Sequence, residues 1–86
     1  MKITIYSTTT CPYCKMVKDY LSSFNFSFEE KLVDQDEAAR EEMSSISGGF
    51  LGVPFIVIEK DTGEKVQIVG FDKEKIKSTL DIKDLA

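Results

Sequence analysis

Between Ile3 and Val33 the spacing of apolar residues changes period twice, and this change limits the folds open to the chain more than any other feature. Ile3-Thr4-Ile5-Tyr6 alternates β-branched and aromatic residues as a strand does, and the polar run Ser7-Thr8-Thr9-Thr10 closes it. From Pro12 onward Val17, Tyr20, Leu21 and Phe24 fall at i, i+3, i+4 and i+7, one face of an α-helix. Asn25 breaks that pattern, and Phe26–Val33 reads as a second strand. Two strands joined through a helix lie parallel in a βαβ unit, so the first strand is expected at the centre of a sheet.

The rest of the chain extends that sheet. Asp34, with Glu37 three residues later, resembles a capping arrangement for a second helix whose apolar stripe is Ala39, Met43 and Ile46 and whose end is Ser47-Gly48-Gly49. A loop through Phe50-Leu51-Gly52 leads to Val53-Pro54 and the continuous apolar run Phe55-Ile56-Val57-Ile58, suited to a strand buried on both faces. Lys60-Asp61-Thr62-Gly63 is turn chemistry. The strand Lys65–Val69 follows too closely for a helical crossover, so the pair forms an antiparallel hairpin. Gly70-Phe71-Asp72 opens a last helix, with Asp72 as N-cap and with Ile76, Leu80 and the aliphatic stem of Lys83 covering the sheet. The predicted order is β-α-β-α-β-β-α, an α/β arrangement.

Both cysteines sit where the first strand gives way to the first helix, in Thr10-Cys11-Pro12-Tyr13-Cys14. Pro12 suits the first helical turn, where its missing N–H is no loss. Cys11 then lies near the cap and Cys14 one turn in. A helix N-terminus offers unpaired N–H groups and partial positive charge, which favour a sulfur as thiolate, the form that attacks disulfides. Cys11 is therefore the candidate nucleophile, with Lys15 and Lys18 as possible contributors to the positive field. Cys14, further inside the helix, is the candidate resolving thiol.

Composition removes several competing functions. A chain of 86 residues holds one small core and no second catalytic domain, and 42% hydrophobic with 30% charged residues reads as globular. Eleven Lys and Arg residues, scattered and outnumbered by 15 acidic ones, argue against phosphate-backbone binding and hence against nucleic acid. The N-terminus lacks a secretory pattern, and no run approaches the roughly 18 apolar residues of a membrane span, so a reducing cytoplasm is the expected compartment. There, a close cysteine pair is catalytic or metal-binding more often than a structural staple. Histidine is absent, which excludes Cys-His catalysis, Ser-His-Asp triads and His-ligated zinc within this chain. A closed zinc site would need a symmetric dimer or carboxylate ligands, and an iron–sulfur cluster would have to bridge two chains. Cys-x-x-Cys after a strand within a βαβ pattern favours redox chemistry.

Cys11-Pro12-Tyr13-Cys14, Val53-Pro54 and Gly70-Phe71-Asp72, at these separations and in this element order, resemble the glutaredoxin family over nearly the whole chain. The resemblance implies a thioredoxin-like fold over residues 1–86, with a four-stranded mixed sheet flanked by three helices. It implies that Pro54 is a cis-proline facing the dithiol and that the Val53 backbone pairs with the substrate's cysteine. Tyr13 would flank bound glutathione, and the backbone of Phe71 and Asp72 would receive its γ-glutamyl carboxylate at a helix N-terminus, a familiar anion site. The implied activity is thiol-disulfide exchange on protein disulfides and glutathionylated proteins, by a monomer with no bound cofactor and with glutathione as reducing co-substrate.

The sequence also departs from the family. Many members carry a lysine three residues before the first cysteine and a basic or amide residue ahead of Val-Pro, both contacting the glycyl carboxylate of glutathione. Here those places hold Thr8 and the Phe50-Leu51-Gly52 stretch. Each lost charge-assisted partner costs about 1–3 kcal/mol of binding. Three alternatives stay open: a small redoxin recycled by thioredoxin reductase and serving ribonucleotide reductase or a similar acceptor, an inter-chain metal or iron–sulfur module, and an interaction module that retains an idle dithiol.

Overall fold

The computed structural model describes residues 1–49 and 52–81. Its elements are β1 (Lys2–Ser7), α1 (Pro12–Ser23), β2 (Glu29–Leu32), α2 (Glu37–Ser47), β3 (Phe55–Glu59), β4 (Lys65–Val69) and α3 (Lys73–Leu80). The four strands form one sheet in the order β2-β1-β3-β4. β1 runs parallel to β2 and antiparallel to β3, and β4 closes the hairpin with β3. The expected element order and central first strand are both present, and the sheet is mixed as the thioredoxin-like reading requires.

The period-two alternation of the strands decides which helix covers which face. Ile3 and Ile5 of β1, Ile56 and Ile58 of β3 and Ile68 of β4 point to one side, where they pack with Val17 and Leu21 of α1 and Ile76 and Leu80 of α3. Tyr6 and Phe55 point to the other, where they meet Met43 of α2, with Val33, Val53 and Val57 at the margin. The larger core thus lies under two helices and the smaller under one. Val57 is only half-buried because this second face has less cover, so β3 is not buried along its whole length on both sides.

Other local expectations shift for physical reasons. The second strand begins at Glu29 instead of Phe26. Asn25 adopts a left-handed φ of 62°, and the N–H of Phe26 turns back onto the Leu21 carbonyl at 3.1 Å, so the first residues after α1 cap the helix. Phe26 and Phe28 pack against the larger core instead of extending the ladder. Phe24 lies just past the helix as its C-cap, its ring edge-on to Tyr20 at 5.2 Å. Asp36, not Asp34, caps α2, accepting from the Ala39 N–H at 3.3 Å. Ile46 is 39% exposed and does not complete the predicted stripe. The carbonyl of Ile46 accepts from Gln67 Nε2 at 2.9 Å, which ties the end of α2 to β4 through a polar contact.

The helix and turn signals at Gly48, Gly63 and Asp72 hold as read. Gly48 ends α2 in the left-handed region, and Gly63, at φ 91°, closes the hairpin turn onto the Lys60 carbonyl at 2.8 Å. Asp72 accepts from the Lys75 N–H at 3.1 Å and caps α3. The expectation for Lys83 falls outside the described residues. Among the described residues no helix is long and apolar enough to cross a membrane.

Candidate functional site

The sheet register gathers the three sequence motifs at one end. Phe55 pairs with Tyr6 and Val69 pairs with Phe55, so the residues just beyond them, Ser7–Cys11, Pro54 and Gly70–Asp72, emerge from the same edge. The Gly70 N–H donates to the Pro54 carbonyl at 2.8 Å and fastens two of the motifs together. Gly70 does so at φ 76°, a left-handed conformation that favours glycine. The Val53–Pro54 bond is cis, as the resemblance implied.

Cys11 is the N-cap of α1, its backbone extended, and Pro12 occupies the first turn. Its Sγ accepts from the Cys14 N–H at 3.1 Å, so one of the otherwise unpaired donors of the helix start is aimed at this sulfur. Both cysteines are free thiols; Cys11 is half-buried and Cys14 is 2% exposed. Burial, and then the neighbouring Cys11, push the Cys14 thiol up to about 12, opposed by the Thr8 backbone N–H and the charge of Lys18. The two sulfurs are thereby chemically unequal: one is reachable and faces a donor, the other is enclosed and holds its proton.

The loop that presents Cys11 is tied from below. The backbone N–H and the hydroxyl of Thr9 donate to Asp34 Oδ2 at 3.0 and 2.7 Å, and these bonds hold the Asp34 carboxyl below its usual range. Asp34 is therefore a clamp on the dithiol loop, a role that sequence reasoning missed because the nearby Glu37 suggested a helix cap. Beside it the fully buried Ser7 hydroxyl donates to Glu30 Oε2 at 2.8 Å, and Lys18 Nζ meets the same oxygen at 2.6 Å. Sequence reading singled out Lys18 but not Glu30; no local signal marks Glu30, because its partner lies across the sheet. Lys18 and Glu30 line an open groove of about 500 Å³ that begins at Cys11 and includes Thr8 and Lys15.

The remaining predicted residues surround this edge. Tyr13 is 60% exposed, one residue before Cys14. Phe71 packs against the larger core, its ring edge-on to Tyr20 at 5.9 Å, which sets α3 against α1. The Asp72 side chain is engaged in capping, which leaves its backbone at the start of α3 for any ligand contact. Phe50 and Leu51 fall outside the described residues. A second concavity of about 400 Å³, between Tyr6, Glu42, Val57 and Gln67, lies over the other face of the sheet and contains no thiol. Among the described residues no cluster of three or more Cys, Asp or Glu side chains is arranged to hold a metal ion.

A mixed sheet with α1 and α3 on one face and α2 on the other, bearing Cys-x-x-Cys at the start of α1, defines a dithiol redox protein of thioredoxin-like fold. The Glutaredoxin family profile matches residues 3–62, and the chain belongs to the glutaredoxin family. An uncharacterised glutaredoxin-like 8.6 kDa protein in the rubredoxin operon of Clostridium pasteurianum is 47% identical over 74 residues, spanning 86% of this chain and 91% of that protein. Among solved structures, the T8A mutant of the thioredoxin-like protein BC3987 superposes with a TM-score of 0.80 at 33% identity, over 95% of this chain and 97% of that one. The glutaredoxin-like NrdH-redoxin of Escherichia coli, whose structure addresses its thioredoxin-like activity profile, superposes with a TM-score of 0.72 at 29% identity over 91% and 93% of the two chains.

Proposed function

We propose that this glutaredoxin-family protein is a thiol-disulfide oxidoreductase in which Cys11 is the nucleophile and Cys14 the resolving thiol. The observation that carries the reading is the inequality of the pair: Cys11 Sγ at a helix cap, accepting a backbone N–H, and Cys14 enclosed one turn in. The Cys11 thiolate attacks one sulfur of a protein disulfide or of a glutathionylated protein. A Cys11–substrate disulfide forms, and the departing sulfur leaves as a thiolate that takes a proton from solvent. Cys14 then loses its proton and attacks Cys11 Sγ, which releases the reduced substrate and leaves the Cys11–Cys14 disulfide. Two electrons pass from the dithiol to the substrate in each cycle. The Val53 backbone aligns the substrate chain beside the dithiol, Tyr13 flanks it, and the backbone at Phe71 and Asp72 receives a carboxylate at the start of α3.

Glutathione is the proposed reductant and partner, in a reducing cytoplasm, with no bound cofactor and with the protein acting as a monomer. A second reading, recycling by thioredoxin reductase, is favoured by Thr8 in place of a basic anchor and by the likeness to NrdH-redoxin. The test is the rate at which the oxidised protein recovers free thiols with glutathione, side by side with thioredoxin reductase and NADPH. Faster reduction by glutathione is expected; reduction by the reductase alone would make the protein a redoxin of the second kind. Replacing Cys11 by Ser is expected to abolish turnover, and unchanged turnover would remove Cys11 from the mechanism.

A further inference from the structure

The resolving step needs Cys14 as a thiolate, yet Cys14 is among the most enclosed side chains of the described residues. From α1 it is faced by Cys11 and Lys18, from the preceding loop by the Thr8 N–H, and behind Lys18 stands Glu30 of β2. Cys14 and Lys18 are i and i+4 on one helix, a spacing that places side chains one above the other. Lys18 is also pinned. Its ammonium is 2.6 Å from Glu30 Oε2, and the same oxygen accepts from the hydroxyl of the fully buried Ser7 at the end of β1. Lys15 stands at the same spacing from Cys11 but is exposed, so its charge is screened by solvent.

We infer that Lys18, anchored by the Glu30–Ser7 pair, is a positioning residue that supports the Cys14 thiolate during resolution of the mixed disulfide. The positive charge favours the thiolate, and the direction of its influence on Cys14 agrees with this. Glu30 has two effects: it holds the ammonium against β2, and it offsets part of the charge that Cys14 feels. The proton that Cys14 loses goes to solvent. The inference rests on the reading of Cys14 as the resolving thiol.

The experiment separates the two claims. Reduced protein is mixed in a stopped-flow instrument with a nitroaromatic disulfide whose released thiolate absorbs visible light. Cys11 attack releases one aromatic thiolate and forms a Cys11–aryl disulfide. Cys14 attack then forms the Cys11–Cys14 bond and releases the second, and the two thiol protons go to buffer. The second phase is first order and independent of reagent concentration, and its rate is followed against pH.

Lys18→Met is expected to move the rising limb of that profile to higher pH and to slow the second phase roughly threefold or more at neutral pH. Lys18→Arg restores the limb, and Glu30→Gln leaves it in place or moves it down, because the amide oxygen still accepts from the ammonium and holds it while the countercharge is gone. The inference is overturned if Lys18→Met does not raise the limb, if Lys18→Arg fails to restore it, or if Glu30→Gln raises it too, as loss of a merely structural ion pair would. Cys14→Ser supplies the control: if the unaltered protein shows no second phase beyond that variant, the dithiol reading itself fails and the inference falls with it.

Discussion

Met43 is the side chain on which the smaller core depends, and shortening it to alanine tests how α2 is held. It is 0% exposed and packs with Tyr6 and Phe55 on the face that α1 and α3 do not cover. Met43→Ala removes a γ-methylene, the sulfur and the terminal methyl. At about 0.8 kcal/mol for each methylene-sized group the transfer cost is about 2.4 kcal/mol, and the cavity left behind raises the total to about 3 kcal/mol. In a domain of this size that lowers Tm by roughly 12–24 °C. Ile46, on the same helix and read from the sequence as part of the same stripe, is 39% exposed, so Ile46→Ala should cost about 0.5 kcal/mol. Urea titration at unchanged m reads both variants. A cost below about 1 kcal/mol for Met43→Ala, or an equal cost for Ile46→Ala, would refute the assignment of the second core to Met43.

Asp36→Ala should destabilise by about 1 kcal/mol, since the Ala39 N–H loses its capping acceptor, whereas a larger loss from Glu37→Ala in the same urea assay would contradict the cap seen here. The Asp34 carboxyl, held low by Thr9, should titrate below its ordinary value of 3.8 in carboxyl NMR and rise toward it in Thr9→Val. Its stabilising share is thus present above the ordinary value and fades as pH falls through the depressed one. Cys14 behaves in the opposite sense. Its thiol is raised in the folded protein from an ordinary 9.0 to about 12, so its contribution is intact below pH 9 and is lost as pH rises through that interval. The stability of the reduced protein, read by urea denaturation, should therefore fall with alkaline pH less steeply in Cys14→Ser than in the unaltered chain; parallel slopes would refute the burial argument.

Much of this protein is decided by local sequence. The βαβ opening, the hairpin around Gly63, the helix stop at Gly48 and the caps at Cys11 and Asp72 rest on residues a few positions apart, and such signals act before the chain has folded. The dithiol is legible for the same reason: a cysteine, a proline and a second cysteine at a strand-to-helix junction place one sulfur at the helix start and the other within its first turn whatever else the chain does. Tertiary structure decided the rest. Asp34, with Glu37 three residues on, carries the fuller short-range cap signal, and only the approach of the Thr9 loop, 25 residues away along the chain, draws it to the dithiol and leaves the cap of α2 to Asp36. Ile46 has the period of a core residue, but with Val57 and Gln67 it lines an open concavity over the second face and stays partly exposed. Glu30 looks like any exposed strand carboxylate until parallel pairing with β1 brings it beside Ser7 and Lys18. Hydrogen bonds and charges between distant segments depend on register and on which face a side chain takes, and only the closed sheet determines these.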